Sequence, residues 1–94
     1  MVTAVILINA ERSKINETAT ALTDLDGVAE VYSVAGDWDL VALLRVPDND
    51  RLADLVTNHM LKIESIKRST TLVAFRAYSK FDLERMFSIG FEEK

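Results

Sequence analysis

Two short stretches hold most of the residues whose types could do chemistry here. The first is Gly36-Asp37-Trp38-Asp39 and the second is Thr70-Thr71. Backbone N–H groups at a glycine turn can hold a carboxylate. Asp37 or Asp39 can hold an ammonium through a charge-assisted hydrogen bond. The threonine hydroxyls can serve either group. A zwitterion such as a free amino acid would satisfy all of them. The first stretch also has a plainer reading, because glycine and aspartate are ordinary hairpin residues and Trp38 can pack at the rim.

Other chemistry is hard to build. The only histidine, His59, falls among apolar residues at helical spacing and is expected as a partly buried, hydrogen-bonded structural residue. No second histidine is available to complete a nucleophile triad. The three glycines, Gly27, Gly36 and Gly90, stand alone and form no phosphate-cradling loop. There are no cysteines and no metal-ligand spacings, so neither a metal nor a cofactor is expected. No catalytic residue is assigned. An enzyme on this chain would have to work through His59, Tyr32 or carboxylates.

The totals narrow the classes further. Ninety-four residues make one small domain. Such a chain buries only a little over ~60% of its unfolded surface and gains from a staple or a partner. Hydrophobic residues make up 49% of it, which implies burial against another subunit. The net charge is −4, and Lys67-Arg68 is the only adjacent basic pair. A direct nucleic-acid binder would need a basic patch to neutralise phosphates. No apolar run approaches the ~18–20 residues of a membrane span. The N-terminus lacks the pattern of a signal peptide. A soluble cytoplasmic protein without membrane contact is expected.

The elements that must position the two stretches follow from periodicity. Residues Thr3 to Ile8 form an unbroken apolar, β-branched run and fit a central strand. Ser13 suits a helix N-cap. Ile15, Ala19 and Leu22 follow it on one helical face, with Thr18, Ala21 and Leu25 close by. Asp26-Gly27 would end that helix. Val28 to Val34 alternates as a strand, with Glu30 and Tyr32 on one side and Val31 and Ser33 on the other. After the Gly36 turn, Leu40 to Val46 reads as a second strand apolar on both faces. Pro47-Asp48-Asn49-Asp50 supplies a breaker and acidic caps. Leu52, Leu55, Val56, His59, Met60 and Ile63 predict a helix from about Asp50 to Lys62 or Ile63. Lys67 to Tyr78 reads as the last strand.

Strand, helix, strand, strand, helix, strand is the ferredoxin-like βαββαβ order. It predicts an α+β fold, a four-stranded antiparallel sheet with two helices on one face. The other face of two doubly apolar strands must also be covered. A second copy packed sheet against sheet, a dimeric α+β barrel, meets that need. Residues 1–79 form the domain. Residues 80–94 include Phe81, Leu83, Met86, Phe87, Ile89 and Phe91, with a short helix expected from Leu83 to Ser88. They are expected to pack on a neighbouring subunit as an apolar arm, with a lid over a ligand as the alternative.

Val31-Tyr32-Ser33-Val34-Ala35-Gly36-Asp37-Trp38-Asp39-Leu40-Val41 resembles the Gly-Asp-aromatic-Asp hairpin of the Lrp/AsnC family, in its C-terminal ligand-binding (RAM) domain. The likeness continues through Arg45-Val46-Pro47-Asp48 and Lys67-Arg68-Ser69-Thr70-Thr71, and covers residues 2–79. It implies dimers that assemble further, commonly into octamers, with amino-acid effectors bound between dimers. Carried over by position, the binding residues are Gly36, Asp37, Asp39, Thr70 and Thr71, with Trp38 in the pocket wall. Full-length members carry a helix-turn-helix before this domain, and none is present in these 94 residues. The resemblance therefore implies a stand-alone form that joins transcription regulation without touching DNA, including by co-assembly with a full-length Lrp/AsnC regulator. The readings kept beside it are a cofactor-free enzyme of the dimeric α+β barrel type and a purely structural assembly module.

Overall fold

The computed structural model describes residues 1–78 and 80. The arm expected at 81–94 and its helix at 83–88 lie outside the described residues. Strand β1 spans Val2–Ala10, helix α1 Ile15–Thr23, β2 Val28–Ser33, β3 Leu40–Val46, helix α2 Asn49–Asp54 and β4 Ile66–Val73. The sheet order is β2-β3-β1-β4, and every neighbouring pair is antiparallel. This is the ferredoxin-like α+β arrangement that the order of elements predicts.

The two central strands divide their residues by face. Ala4, Ile6, Ile8 and Ala10 of β1, with Leu40, Ala42, Leu44 and Val46 of β3, are buried under the helices. Leu22 of α1 and Leu52 of α2 close over them, with Leu55 and Met60. Thr18 is also buried, and its hydroxyl is satisfied by Lys14 O at 2.6 Å and Ser65 Oγ at 2.5 Å. The opposite face carries Val5, Leu7, Val41 and Leu43. They are half-buried by their own neighbours, with no layer of secondary structure above them among the described residues. Tyr32 pairs with Val41 on that face, and Leu72 pairs with Val5.

Several local expectations need correction. Ser13 does not cap α1: it lies inside a 3-10 turn at Arg12–Lys14, closed by Lys14 N–H donating to Glu11 O at 2.9 Å. That turn makes Lys14 the N-cap, without a side-chain cap bond. The helix stops at Thr23, and Gly27 serves the entry to β2 instead. Its φ is +105°, and a Cβ there would sit 2.9 Å from Val46 Cγ1 and 3.0 Å from Leu55 Cδ2. Both conformation and space demand glycine.

Strand β2 does not alternate strictly. Val28 pairs with Leu44 but Glu30 with Leu43, so Ala29 is an extra, bulged residue. The bulge puts Val28 and Val31 on the same, helix-covered side. Strand β4 ends at Val73, short of Tyr78, because its partner runs out. Ala74 N–H still reaches Thr3 O at 2.9 Å, but β1 begins at Val2.

The second helix departs most. Asp48 caps it as the acidic cap residues suggest, accepting from Arg51 N–H at 2.8 Å. After Asp54 the chain widens into a π turn at Leu55–His59 and then tightens into a 3-10 turn at Met60–Lys62. The wide turn changes the spacing of inward residues. Leu55 and Met60, five apart, are both buried, whereas His59 is exposed. The expectation of a partly buried histidine on the apolar face is therefore wrong.

Candidate functional site

The Gly36 turn is held at the end of β1 by a set of polar contacts. Val34 N–H donates to Asp39 O at 3.0 Å, closing the hairpin loop. Asp39 N–H donates across to Ile8 O at 2.9 Å. The Asp39 carboxylate then accepts from Ala10 N–H at 3.0 Å through Oδ2, with Asn9 Nδ2 at 3.4 Å from the same oxygen. The Asn9 amide also donates to the Asp37 carbonyl at 2.9 Å. Asp39 thus works first as a fastener. Its side chain takes the place of a missing strand partner for Ala10, which lies beyond the last paired residue of β3.

The start of β4 reaches the same end of the sheet. Ile8 pairs with Leu40 on one side and with Ser69 on the other. Arg68 stands opposite Asn9, and its guanidinium carbon lies 4.4 Å from the centre of the Trp38 ring. That is a cation–π contact, and it ties the turn to β4. A second bulge, between Asn9 and Ala10, brings Ile66 opposite Ala10 and leaves Arg68 on the open face.

The candidate residues are brought together unequally. Asp37, Trp38 and Asp39 share the rim with Asn9 and Arg68. Gly36 tops the turn with φ +120°, exposed, and beyond its chain neighbours no heavy atom of the described residues lies within 4 Å of a Cβ placed there. Thr70 pairs with Leu7 and so belongs to the open face, in line with Arg68. Thr71 pairs with the buried Ile6 and points to the helix side. The two threonines therefore cannot act as one pair. Strand alternation alone dictates this.

Asn9, Arg68 and the Ala10 N–H also belong to the rim, beyond the binding residues that the sequence predicts. Asn9 did carry a signal, as the polar residue that ends the apolar run of β1. Arg68 carries one as half of the sole adjacent basic pair and as part of the Lys67-Arg68-Ser69-Thr70-Thr71 stretch.

The groups an enzyme would use lie apart. Tyr32 sits on the open face, where its hydroxyl bonds the Glu30 carboxylate, and that contact raises its pKa. His59 is on the helix layer, exposed, with Nε2 3.4 Å from Asp54 Oδ2. Asp54 Oδ1 also accepts from Asn58 Nδ2 at 2.6 Å. The sheet separates the two candidates, so no single pocket holds both. A shallow depression on the outer side of α1, lined by Asn16, Glu17, Thr20, Ala21 and Asp24, contains neither. Among the described residues no cluster of three potential metal ligands occurs, and no helix is long and apolar enough to cross a membrane.

Residues 3–83 match the Lrp/AsnC ligand binding domain. The chain belongs to that family. Among its relatives, the transcriptional regulator LrpA1 of Halobacterium salinarum is 32% identical over 63 residues, covering 67% of this chain and 44% of that protein. An uncharacterised helix-turn-helix regulator of Pyrococcus horikoshii, PH1916, is 30% identical over 59 residues, covering 63% of this chain and 39% of the other. The chain thus spans less than half the length of these regulators. Among solved structures, TTHA0845 of Thermus thermophilus superposes with a TM-score of 0.80 at 45% identity. That match covers 85% of this chain and all of the other. The Lrp/AsnC domain and its α+β fold account for the hairpin, the strand order and the placement of β4 beside the turn. LrpA1 and PH1916 are both transcriptional regulators of the helix-turn-helix type.

Proposed function

We propose that this Lrp/AsnC domain is an effector-responsive assembly module. A small molecule of the amino-acid class binds at the rim where the Gly36 turn meets the start of β4. The domain pairs with a second copy through the open face of its sheet and builds larger rings, an octamer being the favoured form. It works in the cytoplasm and contributes to transcription regulation through assembly, with a full-length Lrp/AsnC regulator as a candidate for co-assembly. These 94 residues do not themselves read DNA, in keeping with their net charge of −4. The observation that carries the proposal is that Arg68 of β4 lies over Trp38 of the turn, beside Asp37 and Asp39, with Thr70 two residues further along the same face. Gly36 shapes the turn, and Thr71 supports the site only through the strand, since its side chain faces the helices.

An effector can act here only by binding one assembly state more tightly than another. Calorimetric titration against the twenty amino acids, paired with light scattering in the presence and absence of each, tests this. Binding of at least one amino acid, weakened by the double substitution Asp37→Ala and Thr70→Ala, is expected. Absence of binding at millimolar concentration would remove the effector from the proposal. Asp39 is a poor first probe because its removal also loosens the turn.

A further inference from the structure

The rim holds a cation whose N–H donors have no acceptor among the described residues. Arg68 is exposed and makes no ion pair among the described residues. Its guanidinium is nevertheless positioned, 4.4 Å from the Trp38 ring centre. Contact with an aromatic face leaves the N–H groups at the edge of the guanidinium plane available as donors. Several of the groups nearby are engaged. The Asp39 carboxylate accepts from Ala10 N–H and lies within reach of the Asn9 amide. Two of the turn's own backbone donors, the N–H groups of Val34 and Asp39, are bonded within the sheet and loop.

We propose that Arg68, positioned by Trp38, recognises the carboxylate of the effector, and that the site therefore selects α-carboxylates over amines and amides. The inference rests on the effector site proposed above and names which group reads which end of the ligand. A planar guanidinium matches a carboxylate through two parallel N–H···O bonds. Stacking on Trp38 restricts the side chain before the ligand arrives, so less freedom is lost on binding. Asp37, on the same rim, is left for the ammonium. The same guanidinium would also suit a carboxylate presented by a second copy of the chain, and the test separates the two sources.

The test titrates the wild-type protein and the variants Arg68→Lys, Arg68→Gln and Trp38→Leu by calorimetry. The probes are an amino acid that the wild type binds, its carboxamide, and the corresponding acid lacking the amine. Light scattering records the assembly of each variant, and circular dichroism confirms its fold. Loss of a charge-assisted bidentate contact should weaken binding about tenfold or more, for the carboxamide on the wild type and for the amino acid on Arg68→Gln. Arg68→Lys should fall between, and Trp38→Leu should weaken acid and amino acid alike. Arg68→Gln should also lose discrimination between amino acid and carboxamide. Equal binding of the two by the wild type, or unchanged affinity in Arg68→Gln, overturns the inference and leaves the effector reading standing. A changed assembly with unchanged ligand affinity in Arg68→Gln also overturns it, assigning Arg68 to a carboxylate on a second copy. If no amino acid binds the wild type, the effector reading falls first and this inference with it.

Discussion

Asp39 is the residue in which the two readings of the turn meet. A carboxylate that accepts from a backbone N–H at the end of a central strand replaces a ladder bond. Its removal leaves a partly buried donor without a partner, which costs about 1–3 kcal/mol. Asp39→Ala should therefore lower the melting temperature by several degrees, on the order of 4–8 °C for each kcal/mol in a domain of this size. Thermal unfolding followed by circular dichroism checks this, and an unchanged midpoint would make Asp39 a ligand residue alone. Asp54 offers a second measurement at this scale. Its carboxyl is held below the ordinary value of 3.8 mainly because the Asn58 amide donates to it. Desolvation opposes that effect, while the nearby His59 and Arg51 add to it. A depressed carboxyl contributes stability above its unfolded pKa and loses it as the pH falls through the folded value. The stability difference between wild type and Asn58→Ala should thus be widest above about pH 4 and close below it. Urea titrations across that range would show a constant difference if the contact had no effect. Asp54 is exposed, so the expectation concerns the shape of the pH curve.

Among the elements, the second helix shows what one local irregularity does to a side chain. Regular spacing puts His59 beside Met60 on the apolar face. The π turn at Leu55–His59 replaces it with a five-residue step from Leu55 to Met60. Met60→Ala should then cost about 2–5 kcal/mol, as for other buried methionines. His59→Ala should stay within about 0.5 kcal/mol, as for an exposed substitution away from special features. Chemical denaturation of the two variants side by side makes the comparison, and a large loss in His59→Ala would mean that the histidine is packed after all. The same contrast explains how much of the molecule could be read from its residues. The strands announced themselves through β-branched runs in β1 and β3, and the Asp48 cap through its neighbours. The bulge at Ala29 and the π turn did not, because each is one residue's worth of slack chosen by packing across the core. The rim was legible in part. Gly36, Asp37, Trp38 and Asp39 are contiguous and stand out. Asn9 and Arg68 join them only through strand pairing, and Thr70 and Thr71 separate only when the faces are assigned.

For the whole molecule, the decisive feature is that among the described residues one face of the sheet has helices and the other has none. Val5, Leu7, Val41 and Leu43 line the middle of the open face, and Tyr32 and Leu72, about half exposed at 48% and 51%, flank it. A contiguous apolar surface of this kind marks an interaction site. Light scattering should give a mass of at least two chains for the wild type and one chain for Leu7→Glu, whose new charge would lie at the centre of a dimer contact. A monomeric wild type at low micromolar concentration would contradict the proposed assembly. The fastening of the turn to β1 has a mechanical consequence as well. Ile8, Asn9 and Ala10 are bonded to the turn on one side and paired with β4 on the other. Three segments distant in sequence are thereby riveted over barely three residues of backbone, and a pull on any one is felt by the other two. The amides of Ala10, Val34 and Asp39 should consequently surrender their protons to deuterium at a common rate, opening as one unit, and a ligand seated on the rim should slow all three together.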